Sequence, residues 1–184
     1  IKYGTDKIKK DILPKLVSGE IVGTLGVTEE LYAPTKDNIN LVYADGKING
    51  KKIAVPDAGI ATHAVVVAKS NKGISLQLVD LSSTGVNIEH QENIDESRGH
   101  FSISFNNVET KLLGDEVSGW ELFEILINQA AVLFSYEQIG GSQASLDMAI
   151  NYAKERYAFG RPIGSYQAIK HKLADMYIAL TLAK

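Results

Sequence analysis

The character of the sequence changes at Gly114, and this change constrains the fold more than any single motif. Between residues 20 and 113, short apolar runs alternate with turn residues. Residues 118–156 instead contain no proline and are dominated by Ala, Leu, Ile, Gln and Glu, a composition that favours helix. A β unit followed by long helices predicts the α+β class.

The β unit is expected to be a small antiparallel barrel or sandwich of about six or seven short strands. Asp45-Gly46 separates two apolar runs and indicates a two-residue hairpin. Phe101, Ile103 and Phe105 alternate with serines, which is the period of a half-buried strand. The other strands are expected at residues 21–27, 39–43, 47–55, 63–68, 74–81 and 86–89.

A short helix is expected before the β unit. In residues 1–17, Ile8 and Ile12 are spaced to lie on one helical face. Pro14 is expected to interrupt this helix late, because proline removes a helical hydrogen bond. Ser18-Gly19 then supplies the stop signal.

The C-terminal part is expected to be an antiparallel pair of helices. The second helix should begin near Ser165, after a connection at residues 156–165. Its apolar stripe consists of Ile169, Leu173, Met176 and Leu180. The pair alone would expose this stripe, so we expect further helices or a partner to cover it.

Composition and charge exclude several kinds of site. The chain of 184 residues has a net charge of −3, which does not indicate a nucleic-acid or membrane partner. It has no cysteine, which excludes disulfides, thiolate metal sites and a cysteine nucleophile. Its histidines show no metal-ligand spacing, and His171 is expected to pair with Asp175. No apolar run approaches the roughly 20 residues of a membrane span, and we expect a cytoplasmic protein.

Several motifs together resemble the acyl-CoA dehydrogenase family. The strongest joins Arg156 and Phe159-Gly160 to Gln167 and the later run Leu-Ala-Asp-Met. Val27-Thr28-Glu29 is similar to the Leu-Thr-Glu strand end of that family, and Asn49-Gly50-Lys51-Lys52 to its Asn-Gly-x-Lys turn. The resemblance covers nearly the whole chain. It implies the end of an N-terminal helical domain at 1–19, a middle β domain at 20–114, and the first part of a C-terminal helical bundle at 115–184.

The resemblance implies an FAD-dependent oxidoreductase that desaturates acyl-CoA thioesters. In this family a carboxylate removes the proton next to the thioester carbonyl, and hydride passes to the flavin. The implied partners are an acyl-CoA substrate, further subunits of a homo- or heterotetramer, and an electron-transfer flavoprotein or other acceptor. Fatty acid or steroid side-chain degradation is the implied process.

Five cofactor-binding residues follow from the same resemblance. Thr28 would hydrogen-bond the edge of the flavin ring; otherwise it simply ends a strand. Arg156 would hold phosphate oxygens of the FAD of a neighbouring subunit; otherwise it complements the dipole at a helix end. Phe159 would pack beside the cofactor, Gly160 would permit close backbone approach, and Gln167 would reach the ribityl or phosphate region.

The chain also departs from the family pattern. Ala54-Val55-Pro56 stands where the family usually has Trp-Ile-Thr or Trp-Ile-Ser, and Pro56 has neither a hydroxyl nor an N–H to offer. The Gly-Ser-Asp stretch that usually follows Thr-Glu is absent. We expect the catalytic base to lie outside this chain. On the long helix, Ala130 stands where a minority of the family carries the base, and Glu137 two turns later is the candidate within the chain.

Three functions remain open at this level. Both ends fall within expected helices, so the chain is expected to be a fragment or shortened subunit of an acyl-CoA dehydrogenase. The altered β-domain motifs beside an intact Arg156 segment equally fit a non-catalytic subunit that completes the FAD site of a heteromeric partner in trans. A helix–barrel interaction module without cofactor is the third alternative, and it leaves the Arg156 motif unexplained.

Overall fold

The structure, a computed structural model, describes residues 3–95 and 97–184. They form two compact units, the first ending at Glu124 and the second beginning at Ile125. The helices are α1 (Asp6–Ser18), α2 (Gly119–Glu155) and α3 (Gln167–Ala183). The strands are β1 (Gly23–Gly26), β2 (Val42–Ala44), β3 (Lys47–Pro56), β4 (His63–Lys69), β5 (Ile74–Asp80), β6 (Val86–Gln91), β7 (His100–Glu109), β8 (Lys111–Leu113), β9 (Tyr157–Ala158) and β10 (Arg161–Pro162). The domain boundaries expected at 19/20 and 114/115 stay predictions.

The first unit is built on one mixed sheet. Its strand order is β6-β7-β3-β2-β4-β5-β8, and β1 pairs with β4. The pairs are antiparallel, except that β1 and β2 both run parallel to β4. Asp45 and Gly46 have φ values of 49° and 78°, as the tight hairpin between β2 and β3 requires. The sheet followed by long helices confirms the α+β class.

The central strands β4 and β5 are buried on both faces. On one face, Val66 and Val79 belong to the main core of the sheet. On the other face, Val67 and Leu76 pack with Leu122 from the first turn of α2. Successive residues of a strand point to opposite faces, so the apolar run of β4 suits a strand covered on both faces, whereas β5 also buries the polar side chains of Ser75 and Gln77.

Helix α1 docks on the edge of this core. Ile12 is buried with Ile21 and Leu78 in a small cluster of its own. The helix continues through Pro14 and ends at Gly19, whose φ of 78° is the left-handed cap conformation. The predicted interruption at Pro14 was therefore wrong, because burial of the neighbouring apolar face outweighs the lost hydrogen bond.

The second unit contains the expected antiparallel pair, formed by the C-terminal half of α2 and by α3. Its buried side chains include Leu146, Ala153 and Leu180. At the end of α3, Lys184 Nζ donates a hydrogen bond to Gln143 Oε1 at 2.8 Å, which fixes the opposite directions of the two helices. Met176, from the expected apolar stripe, is exposed. In the part of the chain that the structure describes, no helix is both long enough and apolar enough to cross a bilayer.

Candidate functional site

The Arg156 motif folds as a small hairpin between α2 and α3. Strands β9 and β10 pair in register, and Phe159-Gly160 is the two-residue turn between them. Both turn residues have positive φ, 53° for Phe159 and 79° for Gly160. This geometry is natural for Gly160, but it is strained for a bulky residue such as Phe159. The Phe159 side chain is nevertheless 97% exposed, so no burial compensates for the strain.

Contacts from the start of α3 support the hairpin. The hydroxyl of Tyr166 donates to Ala158 O at 3.0 Å and lies 3.5 Å from Phe159 O. The guanidinium of Arg161 stacks over the Tyr166 ring, 4.0 Å from its centroid. Ile163 N–H donates to the carbonyl oxygen of Arg156, the residue that follows α2, at 2.7 Å. The hairpin is thus tied both to α2 and to α3.

Arg156 follows directly on the last residue of α2. Its backbone N–H continues the helix by donating to Tyr152 O at 2.8 Å. Its side chain is exposed and, within residues 3–95 and 97–184, has no ion-pair partner. A guanidinium placed this way can complement the helix dipole and still offer its donors to an external anion.

Gln167 is exposed at the N-terminal end of α3. Its Oε1 lies 3.0 Å from His171 Nε2. The pairing expected between His171 and Asp175 is not seen, because the imidazole faces back along the helix toward Gln167. The amide nitrogen of Gln167 is thus the atom that can face outward as a donor.

The strand end that carries Thr28 is held by a buried ion pair. Glu29 Oε1 lies 2.6 Å from Lys52 Nζ, which also donates to Val27 O at 2.9 Å. The same carboxylate accepts two backbone N–H bonds, from Asn40 at 2.7 Å and Leu41 at 3.0 Å. Lys52 has no exposed surface, and burial lowers its pKa to about 8, opposed by the bond to Glu29. Glu29 and Lys52 therefore have a structural role.

Thr28 itself is half-buried beside this pair. Its carbonyl oxygen accepts from Ile53 N–H at 2.8 Å, which joins it to β3. No side-chain hydrogen bond of its hydroxyl is seen within the described residues. The hydroxyl is thus available to a ligand, but no second group from the β unit is directed at it.

In the segment that replaces the Trp-Ile-Thr pattern, backbone groups of Ala54 and Pro56 are hydrogen-bonded to side chains of this chain. Ala54 has a φ of 51° and donates its N–H to Gln91 Oε1 at 2.7 Å. The Pro56 carbonyl accepts from Thr24 Oγ1 at 2.6 Å. Gln91 was missed by sequence reasoning, because a contact across 37 residues leaves no periodic trace. Tyr166 was missed because its partners depend on the turn geometry of the hairpin.

Glu137 and the histidines form no site of their own. Glu137 lies exposed on α2, and Ala130 is half-buried. No cluster of three or more metal-ligating side chains occurs among the residues that the structure describes.

Comparison with known proteins gives the hairpin its context. Residues 117–184 match the family described as acyl-CoA dehydrogenase, C-terminal domain. The probable acyl-CoA dehydrogenase YngJ of Bacillus subtilis is 31% identical over 197 aligned residues, covering 99% of this chain and 52% of that protein. Residues 117–184 belong to this family, and the chain as a whole is similar to acyl-CoA dehydrogenases.

Solved structures of related proteins agree with the fold. Butyryl-CoA dehydrogenase from Megasphaera elsdenii is 25% identical and superposes with a TM-score of 0.89, covering 98% of this chain and 51% of that one. The FAD complex of PigA is 26% identical with a TM-score of 0.84, covering 98% and 51%. The chain thus spans about half the length of the acyl-CoA dehydrogenases it matches.

Proposed function

We propose that this chain is part of an FAD-dependent acyl-CoA dehydrogenase, to which it contributes the group that holds the diphosphate of the cofactor. The exposed Arg156 guanidinium, without an ion-pair partner within the described residues, carries the proposal. It lies at the base of a rigid hairpin whose tip exposes Phe159. Membership of the family and the FAD complex of the related PigA support it.

The chain offers more contacts to the diphosphate end of FAD than to its flavin ring. Arg156 can bind two phosphate oxygens at once, and Gly160 leaves room for close approach, since a Cβ added there would meet nothing within 4 Å. At the other end, the N–H of Ala54 is already bonded to Gln91, and Pro56 has no N–H. The diphosphate end therefore fits, whereas the flavin ring would find only the Thr28 hydroxyl.

In this proposal the residues of the chain bind and orient, and the cofactor performs the redox chemistry. Bound FAD would supply the hydride acceptor for desaturation of an acyl-CoA thioester. Arg156, Phe159, Gly160 and Gln167 would hold the cofactor of a neighbouring subunit, and Thr28 would contact the ring edge. We place the catalytic carboxylate outside residues 1–184 rather than at Glu137. The proposed partners are acyl-CoA, the other subunits of a homo- or heterotetramer, and an electron-transfer flavoprotein or similar acceptor.

A second function is favoured by one observation, the bond between Ala54 N–H and Gln91. In this β unit, the N–H that could face the flavin ring is already bonded within the chain. This fits a non-catalytic subunit, which completes the FAD site of a different, intact subunit in trans. The Arg156 hairpin has the same task in both cases. The two proposals differ only in whether the β unit also holds a flavin.

The Arg156→Ala variant tests the task that both proposals share. Loss of a charge-assisted contact to phosphate should weaken FAD binding by roughly 10- to 100-fold, measured by titration of the assembled protein with FAD. Lys154→Ala removes a positive charge two residues earlier and should leave the FAD affinity within about twofold. Equal affinities of wild type and Arg156→Ala would refute the assignment.

Counting bound flavin separates the two functions. A protein that takes up one FAD per protomer without any second subunit type, and bleaches with an acyl-CoA, is the enzyme itself. FAD uptake only after a second subunit is added identifies the partner subunit. Protein that stays colourless under both conditions would contradict both proposals.

A further inference from the structure

The turn of the Arg156 hairpin is held in a conformation that its own sequence does not favour. Phe159 has a φ of 53°, where a residue with a large side chain is strained. The side chain is exposed and gains nothing from burial. Its neighbour Gly160 is free of strain, so the hairpin is strained at one residue, the one directed outward. Something outside the turn must therefore hold it in place.

Tyr166 is the residue that does so. Its hydroxyl donates to the carbonyl oxygen of Ala158, the last strand residue before the turn, and lies near the carbonyl oxygen of Phe159. The guanidinium of Arg161, the first strand residue after the turn, stacks on its ring. One side chain thus contacts both arms of the hairpin.

The support of Tyr166 is itself rigid. Its backbone N–H donates to Ile163 O, and the hydroxyl of Ser165 donates to Pro162 O at 2.7 Å. A Cβ on Gly164 would lie 2.8 Å from Ala153 O, so the chain before Tyr166 packs tightly on α2. The position of the phenol is therefore set by α2 and by the start of α3.

We propose that Tyr166 is a positioning residue that holds the strained Phe159-Gly160 turn ready, so that Arg156 and Phe159 meet the dinucleotide without reordering. The proposal rests on the proposed function of the hairpin. A preformed hairpin gains affinity because binding does not have to order it. Tyr166 does not touch the cofactor in this arrangement and acts only through the hairpin.

The test compares Tyr166→Phe with a matched control on the same helix. Tyr166→Phe deletes the hydroxyl and keeps the ring under Arg161. Tyr177→Phe deletes a phenolic hydroxyl on exposed α3 surface, away from the hairpin. The readouts on the assembled protein are the FAD dissociation constant, the melting temperature, and hydrogen exchange of the Gly160 and Arg161 amides.

Tyr166→Phe should weaken FAD binding roughly fivefold to tenfold, as expected for one lost hydrogen bond, and should speed exchange at both amides. The melting temperature should stay within about 2 °C of wild type, and Tyr177→Phe should match wild type in all three. Tyr166→Leu, which also removes the ring, should weaken FAD binding further. A merely structural tyrosine would lower the melting temperature without changing the affinity of the intact protein for FAD, and that result would overturn the proposal.

Failure of the proposed function is recognised separately. If wild-type protein binds no FAD, the proposed function fails. Hydrogen exchange then still tests whether Tyr166 holds the turn in place. Faster exchange in Tyr166→Phe than in Tyr177→Phe would still support its hold on the turn. Identical exchange rates would overturn the inference, whatever the protein binds.

Discussion

Lys52 is a charged residue in an interior position, and its surroundings explain how the sheet tolerates it. A buried charge is costly unless it is paired and hydrogen-bonded. Lys52 has both, through the Glu29 carboxylate and the Val27 carbonyl. Glu29 in turn binds the amides of Asn40 and Leu41. This one pair joins three separate stretches of chain.

The lowered pKa of Lys52 predicts how stability varies with pH. Its pKa is about 8 in the folded chain because of burial, whereas an unfolded lysine has a pKa of about 10.4. Between these values the unfolded state binds more protons, so the free energy of unfolding should rise with pH, by at most about 1.4 kcal/mol per pH unit. Urea unfolding from pH 7.5 to 10 should show this rise in wild type relative to Lys52→Met.

Lys51→Met provides the control for this titration. Lys51 is the next residue of β3, and its side chain is half exposed. Its replacement should leave the slope with pH as in wild type. A slope that is the same in all three proteins would mean that Lys52 does not release its proton in this range.

Two glycines of the second unit, Gly140 and Gly164, differ in what surrounds them. Gly140 lies inside α2, where an added Cβ would meet nothing within 4 Å. Gly164 lies just before α3, where the Cβ would come within 2.8 Å of the Ala153 carbonyl oxygen. The first glycine only weakens its helix, whereas the second permits a close approach of two elements.

Alanine at each position should therefore act in opposite directions. Gly140→Ala should raise the free energy of unfolding by about 1 kcal/mol through helix propensity. Gly164→Ala should lower it by roughly 1–3 kcal/mol, because backbone must move to admit the methyl group. Chemical denaturation of the dilute protein measures both. A loss of stability in Gly140→Ala would show that another element covers this face of α2.

Local patterns in the sequence predicted the elements better than their partners. The Asp45-Gly46 hairpin, the long helix from Gly119 and the alternation in β7 each depend on neighbours in the chain, and each was found. The parallel pairing of β1 with β4 and the bond from Ala54 to Gln91 depend on distant residues, and the sequence did not show them. The same limit applies to the site. The Arg156 motif can be recognised in the sequence, but the contacts of Tyr166 with the hairpin are seen only in the structure.

At the scale of the whole molecule, the first half of α2 beyond Glu124 exposes a broad apolar surface, with Asn128 and Ser135 on its polar side. Leu133 is 73% exposed. Its exposed apolar neighbours on the helix are Ile125, Leu126, Ile127, Val132, Phe134 and Tyr136. An apolar face this wide on a helix is normally buried against other elements. This part of the chain should therefore associate with other helices in solution.

Leu133→Glu tests that association. A charge in the middle of the apolar surface should shift the protein toward smaller species in light scattering at micromolar concentration, because burying an unpaired carboxylate is unfavourable. Asn128→Glu adds the same charge at an exposed polar position of α2 and should change the mass little. An unchanged mass for Leu133→Glu would contradict the expectation.

The Glu29 carboxylate also bears on how sequences of this kind diverge. By binding the amides of Asn40 and Leu41, it closes residues 30–38 into a loop whose two ends are held independently of its contents. Leu31 in this loop is 99% exposed, whereas Ile39 just beyond it is buried in the core. A lineage can therefore rewrite this loop, and lose a ligand contact with it, without losing the fold beneath.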